Sequence, residues 1–393
     1  MAEQAVEIAG VGLVTPLGVG AWPNFAALLK GRRITDVAAG FLDTIPAGDF
    51  VRGVGGVSAA THGARGPVVE LAERAAREAI DESGLEAWGL PLALGCSKGA
   101  VGMAGPFASA IPEAVAMGPH QFVASELQRR LSVEPRGCFV AACASGLVGL
   151  EAAWRWIRSG RCRAAVVVSA EAALDDLHVA SYRRLGVLAE PTPEGYRQRP
   201  LDRRRAGFVL GAMGAAVVLR TVDPADRTDP AGERSSRPRL EAVASASAAF
   251  DMVRTDPSMA ATRAAVRRAV GGRAVDVVHP HAPGTRDHDG AELRAIADEL
   301  TGVSDPLHAA SPVSVYANKG AIGHGLGASG LASLVLAVLM RRTGKRPPMP
   351  WLTEPEPGLG LPIDAAAGDL SRDGRHLVLA SGFGGVAAAA VVA

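Results

Sequence analysis

The sequence predicts an α/β protein in which strands and helices alternate through two successive halves. Valine-rich apolar runs such as Ala164–Val168 show no polar alternation, which is typical of strands buried on both faces. Polar residues 222–239, rich in Pro, Asp and Arg, separate the two halves. We therefore predict a layered fold with mostly parallel sheets, an N-terminal half over 1–239 and a C-terminal half over 240–393.

Elements of the first half are predicted from apolar runs and from the glycines that end them. Gly84 and Gly160 each follow a helical pattern, where glycine commonly ends a helix. The predicted strands are Val6–Gly12, Leu92–Leu94 and Ala164–Val168, and the predicted helices are Ala21–Leu29, Val68–Ser83 and Ala144–Ser159.

The second half repeats this alternation and ends in a pair of strands. Gly327–Met340 is its longest apolar helical pattern, and its apolar core, Leu331–Met340, is too short to span a bilayer. The other predicted helices are Ser258–Val270 and Ala291–Leu300, and the predicted strands are Leu240–Ser245, Val275–Val278, Leu377–Ala380 and Ala387–Val392.

Composition excludes several classes of protein. The chain has 393 residues, of which 48% are hydrophobic and 21% charged, so it can bury a large core. Its net charge of +1 predicts no bulk attraction to nucleic acid or to anionic membranes. Four cysteines without a Cys-x-x-Cys pair, and an N-terminus without a basic signal region, predict a cytoplasmic protein.

Cys143 is the most informative residue of the chain. It lies where an apolar, strand-like run ends and a helical pattern begins. The free N–H groups of a helix N-terminus favour an anion, so this position predicts a lowered thiol pKa and a nucleophilic thiolate. A small thiol packed at a strand end is the alternative, and the ten residues around Cys143 do not decide between the two.

Three clusters in the second half decide it. The first, His279 to Thr285, follows the strand Val275–Val278, and the second is Asn318 to Gly327. The third is Ser381-Gly382-Phe383-Gly384-Gly385, at a strand end. Loops at strand ends are where α/β proteins build their sites, and histidines there serve as acid–base groups, donors or metal ligands. His279 and His281 lack a convincing third and fourth ligand, so no metal site is predicted, and His279 and His288 are interpreted as structural.

Taken in order, these motifs resemble those of the β-ketoacyl-[acyl carrier protein] synthases, in the branch with a Cys-His-His triad. Segments from end to end are similar to that family, including Ala9–Gly18 and the pair Arg199–Asp202 and Ala206–Gly211. The resemblance implies a thiolase-like fold, with two pseudo-equivalent β/α halves in an αβαβα arrangement. It also implies an acyltransferase of polyketide or specialised fatty-acid biosynthesis.

Residue roles follow from the resemblance. Cys143 would accept an acyl group from a carrier, and His281 and His324 would stabilise the enolate formed when a malonyl unit loses carbon dioxide. Lys319, with Glu292, would orient the His324 loop. Asp289 and Phe383 are expected to support the site, Phe383 as a gate and, through its N–H together with that of Cys143, as an oxyanion donor. Thr285 would bind the phosphopantetheine arm, and Gly382, Gly384 and Gly385 would shape the substrate loop and allow it to move.

Departures from the family pattern leave alternatives open. Pro283 replaces a hydroxyl-bearing residue, Ala212 replaces a carboxylate and Ser333 replaces an acidic residue, while a basic docking face is reduced to Arg65. A ketosynthase-like acyltransferase or cyclase without decarboxylation, or a subunit that needs a ketosynthase-family partner, therefore stays possible.

Partners and cofactors are also implied by the resemblance. The expected partner is an acyl carrier protein, whose phosphopantetheine arm is the substrate carrier, and no cofactor is expected on the chain itself. A homodimer is expected, with a heterodimer as the alternative, and the strand Ala164–Val168 would pair across the two-fold axis.

Overall fold

A computed structural model describes residues 4–34, 67–100, 117–174, 176–189, 191–192, 195–196, 198–222, 237–301 and 313–393. The first half contains strands β1–β8 and helices α1–α5 within these ranges. They are β1 (Val6–Thr15), β2 (Gly18–Val19), α1 (Ala21–Leu29), α2 (Pro67–Ser83), β3 (Pro91–Gly95), α3 (Pro119–Leu131), β4 (Glu134–Phe139), α4 (Ser145–Arg158), β5 (Ala164–Glu171), α5 (Asp176–Arg184), β6 (Pro191–Thr192), β7 (Gly195–Tyr196) and β8 (Met213–Thr221).

The second half continues the numbering over the same described ranges. Its elements are β9 (Leu240–Ser247), α6 (Ala260–Val270), β10 (Val277–His279), α7 (Asp289–Leu300), β11 (Ser314–Val315), α8 (Lys319–Ile322), a 3₁₀ turn (Leu326–Ala328), α9 (Ser329–Thr343), β12 (Lys345–Arg346), β13 (Gly368–Asp369), β14 (His376–Gly382) and β15 (Val386–Val392).

Two main sheets form the β layers. Their strand orders are β2-β1-β8-β5-β3-β4 and β11-β10-β14-β15-β9. The prediction of mostly parallel sheets is wrong, because β8 pairs antiparallel with both β1 and β5, and β15 with both β14 and β9. The connection from β14 to β15 is a short turn, and strands joined so tightly can only run antiparallel.

Helices α4 and α9 lie between the two sheets and contact strands of both. Helix α2 covers the outer face of the first sheet, and α6 covers that of the second. The layers are therefore α, β, α, β and α, as the sequence predicted. Gly10 and Gly12 let α2 approach β1 closely, since a Cβ on Gly10 would lie 2.0 Å from the carbonyl oxygen of Ala79.

Helix α9 is the apolar helix of the predicted Gly327–Met340 segment. Every residue from Ser329 to Met340 is buried, which explains why the helix is apolar on all sides. The segment Leu326–Thr343 is the one described helix long and apolar enough to cross a membrane, and 83% of it is buried inside the protein. Its burial accounts for its composition.

The predicted dimer contact through β5 is wrong. Both edges of this strand are occupied, by β3 on one side and β8 on the other, so it has no edge to offer a second copy. Strand β8 was not predicted, because its start was interpreted as a glycine-rich motif. In the described order of the first sheet, the two end strands are β2 and β4.

Candidate active site

Cys143, His281 and His324 meet at one place between the two halves. One thiol or imidazole atom from each of the three lies within 4.8 Å of the others. Cys143 follows β4, His281 follows β10, and His324 precedes the 3₁₀ turn that leads into α9. Zinc also accepts thiolates and imidazoles at such spacing, so the absence of a metal site stays a prediction.

The turn that presents Cys143 has a constrained backbone. Ala142 has φ +47°, a left-handed conformation that costs free energy for a residue with a side chain. Ser145, the first residue of α4, holds the turn, because its hydroxyl donates to the carbonyl of Ala142 (2.6 Å) and accepts from the N–H of Ala141 (2.9 Å). The thiol is therefore fixed at the start of α4.

Burial changes the expected chemistry of the thiol. Desolvation raises the pKa of Cys143 to about 12, although the positive charge of Lys319 acts in the opposite direction. The prediction of a lowered pKa is therefore wrong for the free protein, since the cost of burying the thiolate exceeds the favourable charges around it.

Glu292 and Lys319 hold the His281 loop. The Glu292 carboxylate accepts from the N–H groups of His281 and Ala282, both over 2.8 Å, and the Lys319 ammonium donates to the carbonyl of His281. Sequence reasoning assigned this pair to the His324 loop, which is wrong, because their side chains reach the backbone of residues 281 and 282. Burial acts to raise the pKa of the Glu292 carboxyl, but the neighbouring His288 ring and then the N–H groups of Ala282 and His281 hold that pKa below its ordinary value. Burial lowers the pKa of Lys319 to about 8.

His324 has a defined tautomer. The backbone N–H of Leu326 donates to Nδ1 of His324 over 3.1 Å, and the Ser329 hydroxyl lies 2.9 Å from the same nitrogen. Because Nδ1 accepts, the ring proton of the neutral imidazole is on Nε2. Burial and the charge of Lys319 hold the pKa values of His281 and His324 well below the ordinary value, so both rings are neutral.

Asp289 ties two loops together beside the site. Its carboxylate accepts from the N–H of Leu201 (2.9 Å) and from that of Gly284 (3.0 Å), and burial raises its pKa to about 6. Thr285, one residue further on, is half-buried, and its carbonyl accepts from Arg205 over 2.8 Å. The structure therefore places the predicted pantetheine-binding residue at the rim of the site, next to buried Pro283.

The loop Gly382–Gly385 lies against the turn that carries Cys143. A Cβ on Gly382 would lie 2.6 Å from the carbonyl oxygen of Ala141 and 3.1 Å from the backbone nitrogen of Cys143. Gly384 and Gly385 have φ +84° and +79°, values that glycine adopts without strain. The three glycines allow this close approach and the turn back into β15.

An apolar cluster adjoins the thiol and forms the acyl wall, which we define as Ala173, Tyr182, Phe208, Leu210 and Leu326. Half-buried Cys143 and Phe383 pack against it, and the Phe208 ring lies edge-on to the His324 ring with centroids 4.6 Å apart. Phe139, at the end of β4, packs with Trp156 and lines a surface cavity of about 530 Å³. Arg65, the residue left of the predicted docking face, lies outside the described residues.

His279 and His288 have different surroundings. Nε2 of His279 lies 3.1 Å from Nδ1 of His376 in the second sheet. His288 lies beside the site, with its ring centroid 5.1 Å from that of His281 and Nε2 3.6 Å from the Glu292 carboxylate. Their interpretation as structural residues stays a prediction.

Sequence reasoning missed three residues near the thiol: Lys98, Glu171 and Tyr182. Lys98 and Glu171 follow or end strands β3 and β5, so the strand-end rule could have found both. Tyr182 lies on α5, far from any recognised motif, and only the fold brings it to the acyl wall.

A five-layered α/β fold with a cysteine thiol beside two neutral imidazoles defines a thiolase-like protein with a cysteine-centred site. The chain matches the family models "Beta-ketoacyl synthase, N-terminal domain" over residues 3–225 and "Beta-ketoacyl synthase, C-terminal domain" over residues 239–352. It therefore belongs to the β-ketoacyl synthase family, as the sequence predicted.

Curated relatives and solved structures agree with this family. The chain is 33% identical over 257 residues to 3-oxoacyl-[acyl-carrier-protein] synthase 2 of Mycobacterium tuberculosis, an alignment that covers 63% of this chain and only 58% of that protein's length. It is 28% identical to the tetracenomycin polyketide synthase ketoacyl synthase alpha subunit of Streptomyces glaucescens, over 100% and 97% of the two chains.

Two solved structures share the fold. One is a type II polyketide-synthase complex of an acyl carrier protein with its ketosynthase (TM-score 0.78, 19% identity, 99% of each chain). The other is the ketosynthase from module 1 of the bacillaene synthase of Bacillus amyloliquefaciens (TM-score 0.77, 17% identity, 99% of this chain and 75% of that one). At these identities the likeness confirms the predicted thiolase-like fold.

Proposed function

We propose that the protein is a β-ketoacyl synthase that joins an acyl group held on Cys143 to a malonyl unit held on a carrier. The observation that carries this proposal is the meeting of the Cys143 thiol with two neutral imidazoles within 4.8 Å. A thiol can hold an acyl group as a thioester, and neutral N–H donors stabilise negative oxygen without repelling it.

In the first half-reaction, the sulfur of Cys143 attacks the carbonyl carbon of an acyl–carrier thioester. The thiol proton passes to the departing carrier thiol, and the acyl group stays on Cys143. The backbone N–H groups of Cys143 and Phe383 belong to segments in close contact, and they would bind the oxyanion of this step.

In the second half-reaction, the malonyl thioester loses carbon dioxide and becomes an enolate. The Nε2–H of His324 and the ring of His281 would hold the enolate oxygen. The enolate carbon then attacks the acyl carbonyl, the carbon–sulfur bond to Cys143 breaks, and the released thiolate takes a proton from solvent. Glu292 and Lys319 serve by fixing His281 rather than by touching the substrate.

The proposal also covers the carrier, the oligomeric state and the location of the protein. Thr285 at the rim would bind the phosphopantetheine arm of an acyl carrier protein. One of the solved structures with the same fold is a ketosynthase in complex with its acyl carrier protein. Strand β4 lies at an edge of the first sheet, and a second copy of the chain would pair with it there. If light scattering at micromolar concentration gave the mass of a single chain, that result would contradict this dimer. A cytoplasmic location is proposed on the cysteine pattern alone.

The test uses intact-protein mass spectrometry. Acyl-carrier thioesters of several chain lengths should add one acyl mass to the wild type but none to Cys143→Ser, and malonyl carrier should then release carbon dioxide and yield a ketone product. Acylation followed by transfer without loss of carbon dioxide would support the non-decarboxylative alternative. No acylation at any chain length would refute the proposal.

A further inference from the structure

Lys98 lies beside the candidate active site and has no part in the proposed mechanism. It follows the carboxyl end of β3, is half-buried, and its backbone N–H donates to the Glu171 carboxylate over 3.3 Å. Its ammonium nitrogen lies 5.9 Å from the centre of the Tyr182 ring. Lys98 is one of four lysines in the chain.

Tyr182 lies near the Lys98 ammonium and belongs to the apolar cluster against which Cys143 packs. Its side chain is only 8% exposed, and its ring lies 6.0 Å from that of Phe208 within the acyl wall, against which Cys143 also packs. The charge of Lys98 also lowers the pKa of Cys143, although burial outweighs it. The ammonium is therefore close to the path that an acyl chain on Cys143 would take along the wall.

Glu171, whose charge interacts with that of Lys98, is bound by backbone N–H groups. Glu171 is buried, and its carboxylate accepts from the backbone N–H groups of Ser97 and Lys98. An ammonium above an aromatic ring gains a modest attraction, whereas an ammonium paired with an oxygen anion at a desolvated site gains more. A substrate oxygen would therefore replace the ring as the better partner.

We propose that Lys98 selects an acyl chain carrying an anionic or strongly accepting oxygen, either a carboxylate or a β-keto oxygen, over a plain alkyl chain. The inference rests on the proposed function, because it assumes that an acyl chain is attached to Cys143. It assigns to Lys98 a binding role at the acyl wall, with its ammonium donating to the substrate oxygen.

Three pantetheine thioesters separate the two sources of oxygen: hexanoyl, 3-oxohexanoyl and adipoyl. Rates of Cys143 acylation are measured by intact mass for the wild type, Lys98→Met, Lys98→Arg and the matched control Lys345→Met. Lys345 is exposed and pairs with Asp369 on β13, so its substitution removes one positive charge away from the site.

We expect the wild type to prefer an oxygenated chain to hexanoyl by roughly tenfold or more, as charge-assisted hydrogen bonds typically contribute. The preference should fall to about one in Lys98→Met and persist in Lys98→Arg and Lys345→Met. A preference for adipoyl alone identifies a carboxylate, and one for 3-oxohexanoyl alone identifies a keto oxygen. Equal preferences in the wild type and Lys98→Met would overturn the inference.

A second readout keeps this test separate from the proposed function. Non-transferable amide analogues of the hexanoyl and adipoyl probes should slow iodoacetamide alkylation of Cys143, the adipoyl analogue more strongly, and Lys98→Met should remove that difference. If no thioester acylates the wild type, the proposed function fails, while the analogue comparison still decides whether Lys98 binds a carboxylate. Equal protection by the two analogues would refute a carboxylate preference.

Discussion

The backbone N–H of Leu326 donates to Nδ1 of His324 over 3.1 Å, and this bond decides what His324 can do. It requires a lone pair on Nδ1, so the neutral ring carries its proton on Nε2. Leu326 makes this bond from a left-handed conformation, with φ +43°. A strained backbone at this position is therefore linked directly to the donor that the proposed enolate needs.

His324→Ala should separate the two half-reactions. Removing the Nε2–H donor should slow loss of carbon dioxide from malonyl carrier by roughly 10²- to 10³-fold, since a donor aimed at developing negative charge contributes about that much. Acylation of Cys143 should fall much less, because its oxyanion donors are backbone N–H groups. Radiolabelled carbon dioxide release and intact mass measure the two steps.

His324→Asn is the matched variant for this prediction, because its amide can donate in place of the ring nitrogen. It should recover part of the decarboxylation rate lost in the alanine variant. Wild-type decarboxylation by His324→Ala would contradict the role of the Nε2–H.

Cys143 should become more reactive as pH rises. With a pKa of about 12, its thiolate fraction grows about tenfold for each pH unit across the neutral range. Lys319, whose pKa is about 8, loses its favourable charge above that pH and should flatten the rise. Alkylation by iodoacetamide, followed by peptide mass spectrometry between pH 6 and 9, measures the slope.

Cys143→Ala controls for Cys96, Cys138 and Cys162, whose pKa values burial also raises. A rate that is already constant below pH 7 would show a thiolate formed in the free protein, as the position before a helix had suggested.

Much of the fold could be predicted from the sequence because its signals are local. Helix α1 has the predicted bounds, α2 begins one residue earlier than predicted, and α4 is one residue shorter than predicted at each end. Strand β8 was missed because Met213–Thr221 follows a glycine-rich motif, and this omission also made β5 look available for pairing. Which strands neighbour each other depends on distant segments, and residue patterns alone do not encode it.

The site residues also divide into those that the sequence could predict and those that only the fold brings together. Cys143, His281 and His324 were found because each follows or precedes an element with a recognisable motif. The pairing of Glu292 and Lys319 with the His281 backbone was not found, because side-chain direction is set by packing. Lys98 and Tyr182 are 84 positions apart in the sequence, so their contact exists only in the fold.

Gly382→Ala should impair acylation of Cys143. The new Cβ would lie 2.6 Å from the carbonyl oxygen of Ala141 and 3.1 Å from the nitrogen of Cys143, so the turn that holds the thiol must move. We expect at least a tenfold lower acylation rate, because displaced oxyanion donors lose most of their effect.

Gly384→Ala is the matched control for this substitution. A Cβ there meets nothing within 4 Å, and its cost is the strain of φ +84°, about 1 kcal/mol of stability. Acylation rates of the two variants are compared by intact mass at equal folded fraction. Equal rates would show that the approach of Gly382 to Cys143 is not needed for acyl transfer.

Glu292→Gln should destabilise the protein and lower its activity. A glutamine offers one acceptor where the carboxylate serves the N–H groups of both His281 and Ala282, so one buried donor is left unpaired at a cost of about 1–3 kcal/mol. Because the pKa of Glu292 is lowered in the folded protein, its contribution is present above about pH 4.5 and is lost as pH falls through the folded pKa.

Urea unfolding at pH 7 and pH 4 measures both effects. Glu299→Gln is the control on the same helix, because Glu299 pairs at the surface with Arg267 and should cost less than about 1 kcal/mol. Equal losses in the two variants at pH 7 would contradict a special role for Glu292 in holding the His281 loop.

The burial of Glu171 should make the free energy of unfolding depend on pH. Desolvation raises its pKa to about 7 in the folded protein, against 4.5 for an exposed glutamate, so the folded state binds its proton more tightly than the unfolded state. A group with a raised folded pKa stabilises the protein as pH falls, and its full effect is present below about 4.5. The free energy of unfolding of the wild type, compared with Glu171→Gln, should therefore rise from pH 7.5 to pH 4.5 by an amount on the order of 3 kcal/mol.

Taking the difference between the two proteins removes the contribution of buried histidines such as His279 and His376, whose lowered pKa values act in the opposite direction. A flat difference from pH 7.5 to pH 4.5 would show that Glu171 remains ionised. Its negative charge would then oppose thiolate formation at Cys143 throughout this pH range. A rising difference means that acidification neutralises Glu171 and removes that negative charge from the surroundings of Cys143.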